Sequence, residues 1–444
     1  MFLHNRRSKD YPREVMESQM HKYLKKIPQE LRGLIALAGE TAEELGMSAY
    51  LVGGFVRDLI MGARNLDSDI VIEGDGIKFS EALAAKTSAR LTRHRRFATA
   101  TVAFGPHLKF DISTARRETY PFPAALPVVE AGIIKEDLGR RDFTINAMAV
   151  SINRGIFGRL TDIYGGRRDI AGRRIRVLHN LSFIDDPTRM LRAVRFSRRY
   201  NFKIEPRTMR LLKEAARLRM LERVHPHRVR DELVLILKED EPLKPLKAIQ
   251  ELMGFGFIDK KLKISRSTES LMRALKREID WFRGAYPRRR HLDAWVIYFT
   301  ALLESLDAAT TRRIAKKFAL SKGETKRILS AKGFKPAFLR SLFSADTKPS
   351  RIYHILEPLS YEAIIMLRAK YPDKNLLRHI DDFFGIYNGT RIAVSGHDLH
   401  KLGLAPGPRY QKILRRILDA RLNGVATTRE EEIALAESLA GALA

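Results

Sequence analysis

Arg140-Arg141-Asp142 stands directly before the apolar, structure-forming run Phe143-Thr144-Ile145-Asn146-Ala147-Met148-Ala149. A core segment gains nothing from three adjacent charges, and a solvated face would not turn so abruptly to Phe, Ile and Met. Two guanidiniums at the edge of a buried element are expected where an anionic ligand is held. Upstream, Asp67 and Asp69 flank Ser68 and lead into Ile70-Val71-Ile72. On a strand the two acids share one face, with Ile70 and Ile72 on the other. Paired carboxylates repel unless a cation lies between them, and hard oxygen donors favour Mg²⁺. Asp111 is a third acid, opposed by the alternating Leu108, Phe110 and Ile112, so it too sits on a polar strand face. Three carboxylates on adjacent strands can hold two metal ions for in-line nucleotidyl transfer. An isolated pair of this kind is more often merely solvated. Here Gly53-Gly54-Phe55-Val56-Arg57-Asp58 precedes it: the glycines let backbone approach a phosphate, and Arg57 offers a fork for its oxygens.

A further constellation is Asp185-Asp186-Pro187-Thr188-Arg189-Met190-Leu191-Arg192-Ala193-Val194-Arg195-Phe196. Asp186 before Pro187 reads as a helix N-cap with proline in the first turn, which explains both residues structurally. It does not explain Arg189, Arg192 and Arg195. Their three-residue spacing predicts a stripe along one side of the helix, with Met190, Leu191 and Val194 on the buried side. Like charges so placed are unfavourable without an anion, and a chain of phosphates is a suitable partner.

The elements that must position these residues follow from hydrophobic period. Leu31, Leu34, Ile35, Ala38, Ala42 and Leu45 predict a helix, with Gly46 as its stop. Ala49–Val52, Leu66–Ile72, Ala98–Phe104 and Leu108–Ser113 alternate as strands, and Phe79–Ala89 reads as a helix between them. Beyond about residue 175 helical periodicity takes over, in Pro187–Tyr200, Thr208–Leu218, Arg228–Leu237, Leu246–Met253, Ser267–Phe282, Leu292–Leu306 and Thr310–Phe318. A basic helix is predicted over Tyr410–Leu422. The 444 residues suffice for two to four domains. Lys plus Arg number 81 against 52 Asp plus Glu, a net charge of +29. Such an excess attracts polyanions, nucleic acid first. There is no cysteine, no apolar run of membrane length and no apolar signal core at the N-terminus. Disulfides and thiolate metal sites are thereby excluded, and a cytoplasmic protein without membrane attachment is expected.

The Gly-Gly-x-Val-Arg-Asp segment with its paired aspartates, the Arg-Arg-Asp-Phe-Thr-x-Asn-Ala-Met-Ala segment, Asp162-Ile163-Tyr164-Gly165-Gly166-Arg167-Arg168-Asp169 and the Asp186–Phe196 helix occur in one order. That order resembles the class II tRNA nucleotidyltransferases, the CCA-adding enzymes and their poly(A) polymerase relatives, within the polymerase-β-like superfamily. The resemblance is strong over roughly residues 47–200 and looser beyond. It implies that Asp67 and Asp69 bind metal and that Asp111 is the supporting carboxylate. Gly54 and Arg57 match triphosphate-contacting positions, and Arg141 a nucleotide-contacting arginine. Gly53 and Asp142 complete the expected nucleotide-binding set. Asp186 and Arg189 match the pair that reads the incoming base, with Arg192 and Arg195 beside it. Asp185 stands where the family often has Glu. Residues 116–129, rich in proline, are expected as a loop; in the family this region resembles a mobile loop tied to the switch from C to A addition.

The hydrogen-bond inventory supports that base reading. Cytosine and adenine both present an amino donor beside a ring-nitrogen acceptor, which a carboxylate and a guanidinium complement; guanine and uracil present the reverse. The expected fold is therefore α+β. A nucleotidyltransferase head over 29–150 carries a mixed sheet. A basic extension over 1–28 precedes it, and an all-α neck (151–240), body (241–345) and tRNA-binding tail (346–444) follow. The expected activity is template-independent transfer of CMP and/or AMP from CTP or ATP to a tRNA 3′ end. The alternatives are a poly(A) polymerase and a non-catalytic RNA-binding protein. Gly74-Asp75-Gly76 reads as a turn, and His397-Asp398 as part of a helix starting near Ser395. Pro287-Arg288-Arg289-Arg290 with Lys412, Arg415, Arg416 and Arg421 are candidates for RNA backbone contacts.

Overall fold

The computed structural model describes residues 20, 22–63, 68–334 and 336–441. Most of the expected basic extension, and both Leu66 and Asp67, lie outside the described residues. The chain divides into two compact units, Met1–Val229 and Arg230–Ala444.

The first unit is built on a seven-stranded mixed sheet. Its elements run α1 (Gln29–Glu44), β1 (Ser48–Val52), α2 (Gly54–Met61), β2 (Ser68–Glu73), α3 (Gly76–Thr87), β3 (Arg90–His94), β4 (Thr99–Ala103) and β5 (Lys109–Thr114). Then come β6 (Arg116–Thr119), β7 (Val128–Ala131), α4 (Ile134–Gly139), β8 (Ala149–Ser151) and β9 (Leu160–Thr161). The sheet order is β3-β4-β5-β2-β1-β8-β9. Every pairing in it is antiparallel except β2 with β5. Helices α1 and α3 cover one face, where Leu31, Ile35, Phe79, Leu83, Val102, Phe110 and Ile112 share a core. Each such side chain contributes about 1.5–3 kcal/mol by leaving water. Helix α3 starts three residues before the predicted Phe79, because the Asp75 side chain accepts from Ile77 and Lys78 and caps it.

Strand β3 was not expected from sequence: its one apolar residue is Leu91, and it is an edge strand carrying Arg90, Arg93 and His94. The predicted loop over 116–129 is corrected in part. Its ends form an antiparallel ribbon, β6 with β7, and Pro121, Pro123 and Pro127 lie in the connection between them. Proline is tolerated there because no ladder N–H is required of it.

The rest of the first unit comprises α5 (Gly166–Ala171), β10 (Arg174–Ile175), α6 (Ser182–Asp185), α7 (Thr188–Arg199), β11 (Lys203–Ile204) and α8 (Pro206–Arg217). Strands β10 and β11 make a two-stranded parallel pair inside a region expected to be purely helical. The second unit is all helical. Arg266–Ala285, Tyr361–Lys370 and Lys374–Gly385 enclose Trp281, Phe282, Tyr361 and Phe384 in an aromatic cluster. The predicted helix Leu292–Leu306 is shorter, Ala294–Leu302. Pro408–Leu422 packs on Arg429–Gly441 around Val394, Leu399, Ile413, Ile417 and Ala436. A helix follows Ser395 at Gly396–Lys401, as expected, and Ser395 and Asp398 form a capping box at its start. Among the described residues no helix is long and apolar enough to cross a membrane.

Candidate active site

The parallel pairing of β2 with β5 sets Asp69 opposite Asp111, so the two carboxylates lie side by side on one face. Asp111 Oδ1 accepts from Thr101 Oγ1 and its Oδ2 from Lys109 Nζ, each at 2.6 Å. Partial burial pushes its carboxyl up, but those bonds prevail and hold it below the usual range. Hard, adjacent oxygens of this kind suit a divalent cation. Among the described residues no group of three metal-binding side chains occurs. Asp67, the other half of the expected pair, lies outside them.

Beside the acids, α2 begins at Gly54 after Gly53, whose φ of 64° favours glycine. A Cβ on Gly53 would stand 2.4 Å from Arg141 Nη1, so the missing side chain is what lets that guanidinium lie against the turn. Arg57 is buried. Its Nε donates to Asp58 and its Nη1 to Asn146 Oδ1 at 2.6 Å, while its guanidinium lies 4.7 Å from the Tyr200 ring. Asn146 Nδ2 donates in turn to Asp142 Oδ1, and Arg192 Nε to Asp142 Oδ2, both at 2.9 Å. One chain of bonds thus runs from the glycine turn to α7.

The opening pair of arginines is organised by a residue that the sequence reading did not single out. Asp137, fully buried in the first turn of α4, accepts from Arg140 on Oδ1 at 2.7 Å and from Arg141 on Oδ2 at 2.8 Å. The i,i+3 and i,i+4 spacing was the available signal. Arg140 also reaches Glu118 on β6. Asp142 serves a different arginine, accepting from Arg192. Burial pushes the Asp137 carboxyl up, but the Arg141 and Arg140 guanidiniums outweigh it and the group titrates below its usual value. A depressed folded pKa adds stability above the unfolded value, about 3.9, and loses it as pH falls through the folded one. Urea unfolding of the wild type should accordingly show a stability loss below about pH 4 that the already weaker Asp137→Asn variant shows less of; identical acid dependence would refute the assignment.

Helix α7 starts at Thr188, with Pro187 rather than Asp186 at the cap position. Asp186 Oδ1 still accepts from Thr188 N and Oγ1 and pairs with Arg228 at 2.9 Å. Its contacts among the described residues all go to Oδ1. The arginines are not an exposed stripe: Arg189 and Arg195 are buried. Arg189 donates to Ser182 Oγ and to the Arg140 carbonyl, and Arg195 stacks on Phe196. Protein groups thus take part of the load that a bound anion was expected to carry.

Gly53, Gly54, Arg57 and Asp69 line one side of a cavity of about 370 Å³. Arg141 and Asp142 line another, and Asp186, Arg189 and Arg192 a third. Asp111 and Arg195 do not line it. Glu118, Tyr120 and Asn146 do, and were missed. The Tyr120 hydroxyl, bonded to Glu118 and pushed by burial to about 12, stays protonated. Asp185 is raised by burial and lies 3.8 Å from His179. In the second unit, Arg289 and Arg290 are held by the Phe384 carbonyl and Glu362, and Arg421 by Glu432, whereas Lys412, Arg415 and Arg416 are exposed.

An acidic strand pair beside a guanidinium-lined cavity is suited to a nucleoside triphosphate and a metal. Family models match in the same place: a poly(A) polymerase head domain over residues 49–176 and a probable RNA- and SrmB-binding site of polymerase A over 201–258. An A-adding tRNA nucleotidyltransferase of Halalkalibacterium halodurans is 31% identical over 91% of this chain and 91% of its own. The chain belongs to the tRNA nucleotidyltransferase family. A second member, the A-adding enzyme of Geobacter sulfurreducens, is 38% identical over 95% of this chain, which spans only 48% of that longer protein. The chain spans 39% of a further A-adding relative, from Aquifex aeolicus. The Thermotoga maritima CCA-adding enzyme, solved with a tRNA, aligns at a TM-score of 0.69 with 33% identity, covering 96% of this chain and 98% of that one. The family's α+β head followed by helices is the architecture found here.

Proposed function

We propose that this chain transfers AMP from ATP to the 3′ end of a tRNA and releases pyrophosphate. The observation that carries the reading is the register that sets Asp111 beside Asp69, which lines a cavity together with Arg57, Arg141 and Arg192. The choice of AMP rests on the three relatives named A-adding. Asp69, with Asp67, would hold Mg²⁺, which when bound acidifies the attacking hydroxyl and neutralises charge at the reacting phosphate. Arg57 and Arg141 hold the triphosphate, the first through the Asp58 and Asn146 bonds and the second through Asp137. Asp186 Oδ2 accepts the amino proton of the base and Arg189 donates to its ring nitrogen. The head, neck, body and tail divide near residues 150, 240 and 345, and the work is done in the cytosol, where tRNA and ATP meet.

The assay offers purified protein tRNAs ending before the first C, after one C and after two, each with ATP or CTP. Addition of a single A to the two-C tRNA alone is expected. Incorporation of CMP would replace the reading with CC or CCA addition, and extension of an oligo(A) primer would favour a poly(A) polymerase. No incorporation on any primer would leave an RNA-binding role.

A further inference from the structure

Strands β3 and β4 extend the sheet beyond the two carboxylates, and the open face they form with β5 is rich in hydroxyls and cations, most of which the chemistry above does not use. The pairing registers align Asp69, Asp111, Thr101 and Thr92 in one row across four strands. The row is continuous in space, since Thr101 Oγ1 bonds Asp111. Strand alternation puts Arg90, His94, Thr99, Lys109 and Ser113 on the same face. Leu91, Val102, Phe110 and Ile112 occupy the opposite face, packed with the α3 side chains Phe79 and Leu83. Arg93 also points that way, to Glu81 on α3. At the end of β3 the chain turns through Arg95, Arg96 and Phe97, all exposed; the Phe97 ring is 64% exposed with the Arg96 guanidinium 5.9 Å from its centroid.

Arg95, Arg96 and Phe97 together present two guanidiniums and one ring to solvent. Hydroxyls, cations and one aromatic on an open sheet are the elements of a single-strand RNA platform: cations meet phosphates, hydroxyls meet 2′-OH groups and an aromatic stacks a base. Three strand spacings at about 4.8 Å make the row about 14 Å long, which accommodates the terminal nucleotides of a strand.

We propose that the face formed by β3, β4 and β5, with Arg95, Arg96 and Phe97 at its rim, docks the single-stranded 3′ end of the RNA primer. The strand runs along the row so that its terminal hydroxyl arrives over Asp69 and Asp111. This rests on the nucleotide-transfer reading for what the hydroxyl does there, and on charge complementarity and sheet register for where it lies.

The test uses the full chain and 5′-labelled RNA hairpins, one with a single-stranded tail ending in two C residues and one blunt. Binding is followed by fluorescence anisotropy between 50 and 200 mM KCl, the range over which phosphate contacts show their salt dependence. Phe97→Ala should weaken binding of the tailed hairpin about tenfold. The Arg95→Ala, Arg96→Ala double variant should lower the salt slope by about 1.4, two phosphate contacts at about 0.7 each. The blunt hairpin should bind wild type and variants alike, and the KM for ATP should not move. Wild-type binding of the tailed hairpin by the variants, or an equal defect on the blunt one, would overturn the proposal. If binding follows the expected pattern but no nucleotide is added, the surface stands and the transfer reading fails.

Discussion

Replacing Asp69 with Asn should lower AMP transfer by at least about 10³-fold while leaving RNA binding intact. An amide keeps the size of the side chain but loses the charge that holds a cation, and cation stabilisation of the transition state is worth several kcal/mol; about 4 kcal/mol corresponds to that factor. Asp69 is exposed at the start of β2, and Asn keeps its size and shape, so the fold should survive the substitution. Changing Asp67 as well should remove detectable transfer. The measurement is single-turnover AMP incorporation at saturating ATP, with hairpin affinity as the control for folding. Transfer within tenfold of wild type in the Asp69→Asn variant would show that the cation is held elsewhere and would refute the role assigned to this strand.

The second large effect is expected at Asp186. Replacing it with Ala removes the carboxylate proposed to accept from the base. A hydrogen bond to a charged group contributes about 1.5–3 kcal/mol, so kcat/KM for ATP should fall roughly 10- to 150-fold. Selectivity against GTP should collapse toward unity, because the acceptor that guanine cannot complement is gone. Arg228, which pairs with the same carboxylate, loses its partner too, and some stability should be lost with it. The ratio of ATP to GTP incorporation separates the two consequences, since loss of folded protein lowers both rates together. A preserved ratio in a folded variant would sink the base-reading role.

Strand and helix identity was legible wherever alternation or the 3.6-residue period coincided with burial. β4 and β5 are cases, since Val102, Phe110 and Ile112 are core residues on otherwise polar strands. β3 was not legible, because an edge strand needs little apolar content to be held by its neighbour. The β6–β7 ribbon was hidden by prolines that lie between its strands. The acids of β2 and β5 were legible as strand-face carboxylates. Their placement on adjacent strands was expected; the register that sets Asp69 directly opposite Asp111 was not, since register between distant segments is fixed by the packed sheet. Asp137 and Asn146 escaped notice for a different reason. Each bonds two other side chains at once, and a bridging role shows only when both partners are in place. The arginines of α7 were read as awaiting an anion, whereas Asp142, Ser182 and a backbone carbonyl already meet two of them.

Asp137 also bears on the thermodynamics of ligand capture. An arginine that orders itself around a newly arrived phosphate gives up rotamer freedom at that moment, about 0.5–1.5 kcal/mol for each immobilised side chain. Arg140 and Arg141 are immobilised beforehand by one fully buried carboxylate, each through two of its nitrogens. That entropy is lost once, during folding, and does not recur in each catalytic cycle. A nucleotide bound here would meet donors already fixed in space, and the calorimetric signature of its binding should carry little of the entropic penalty that two surface arginines would impose.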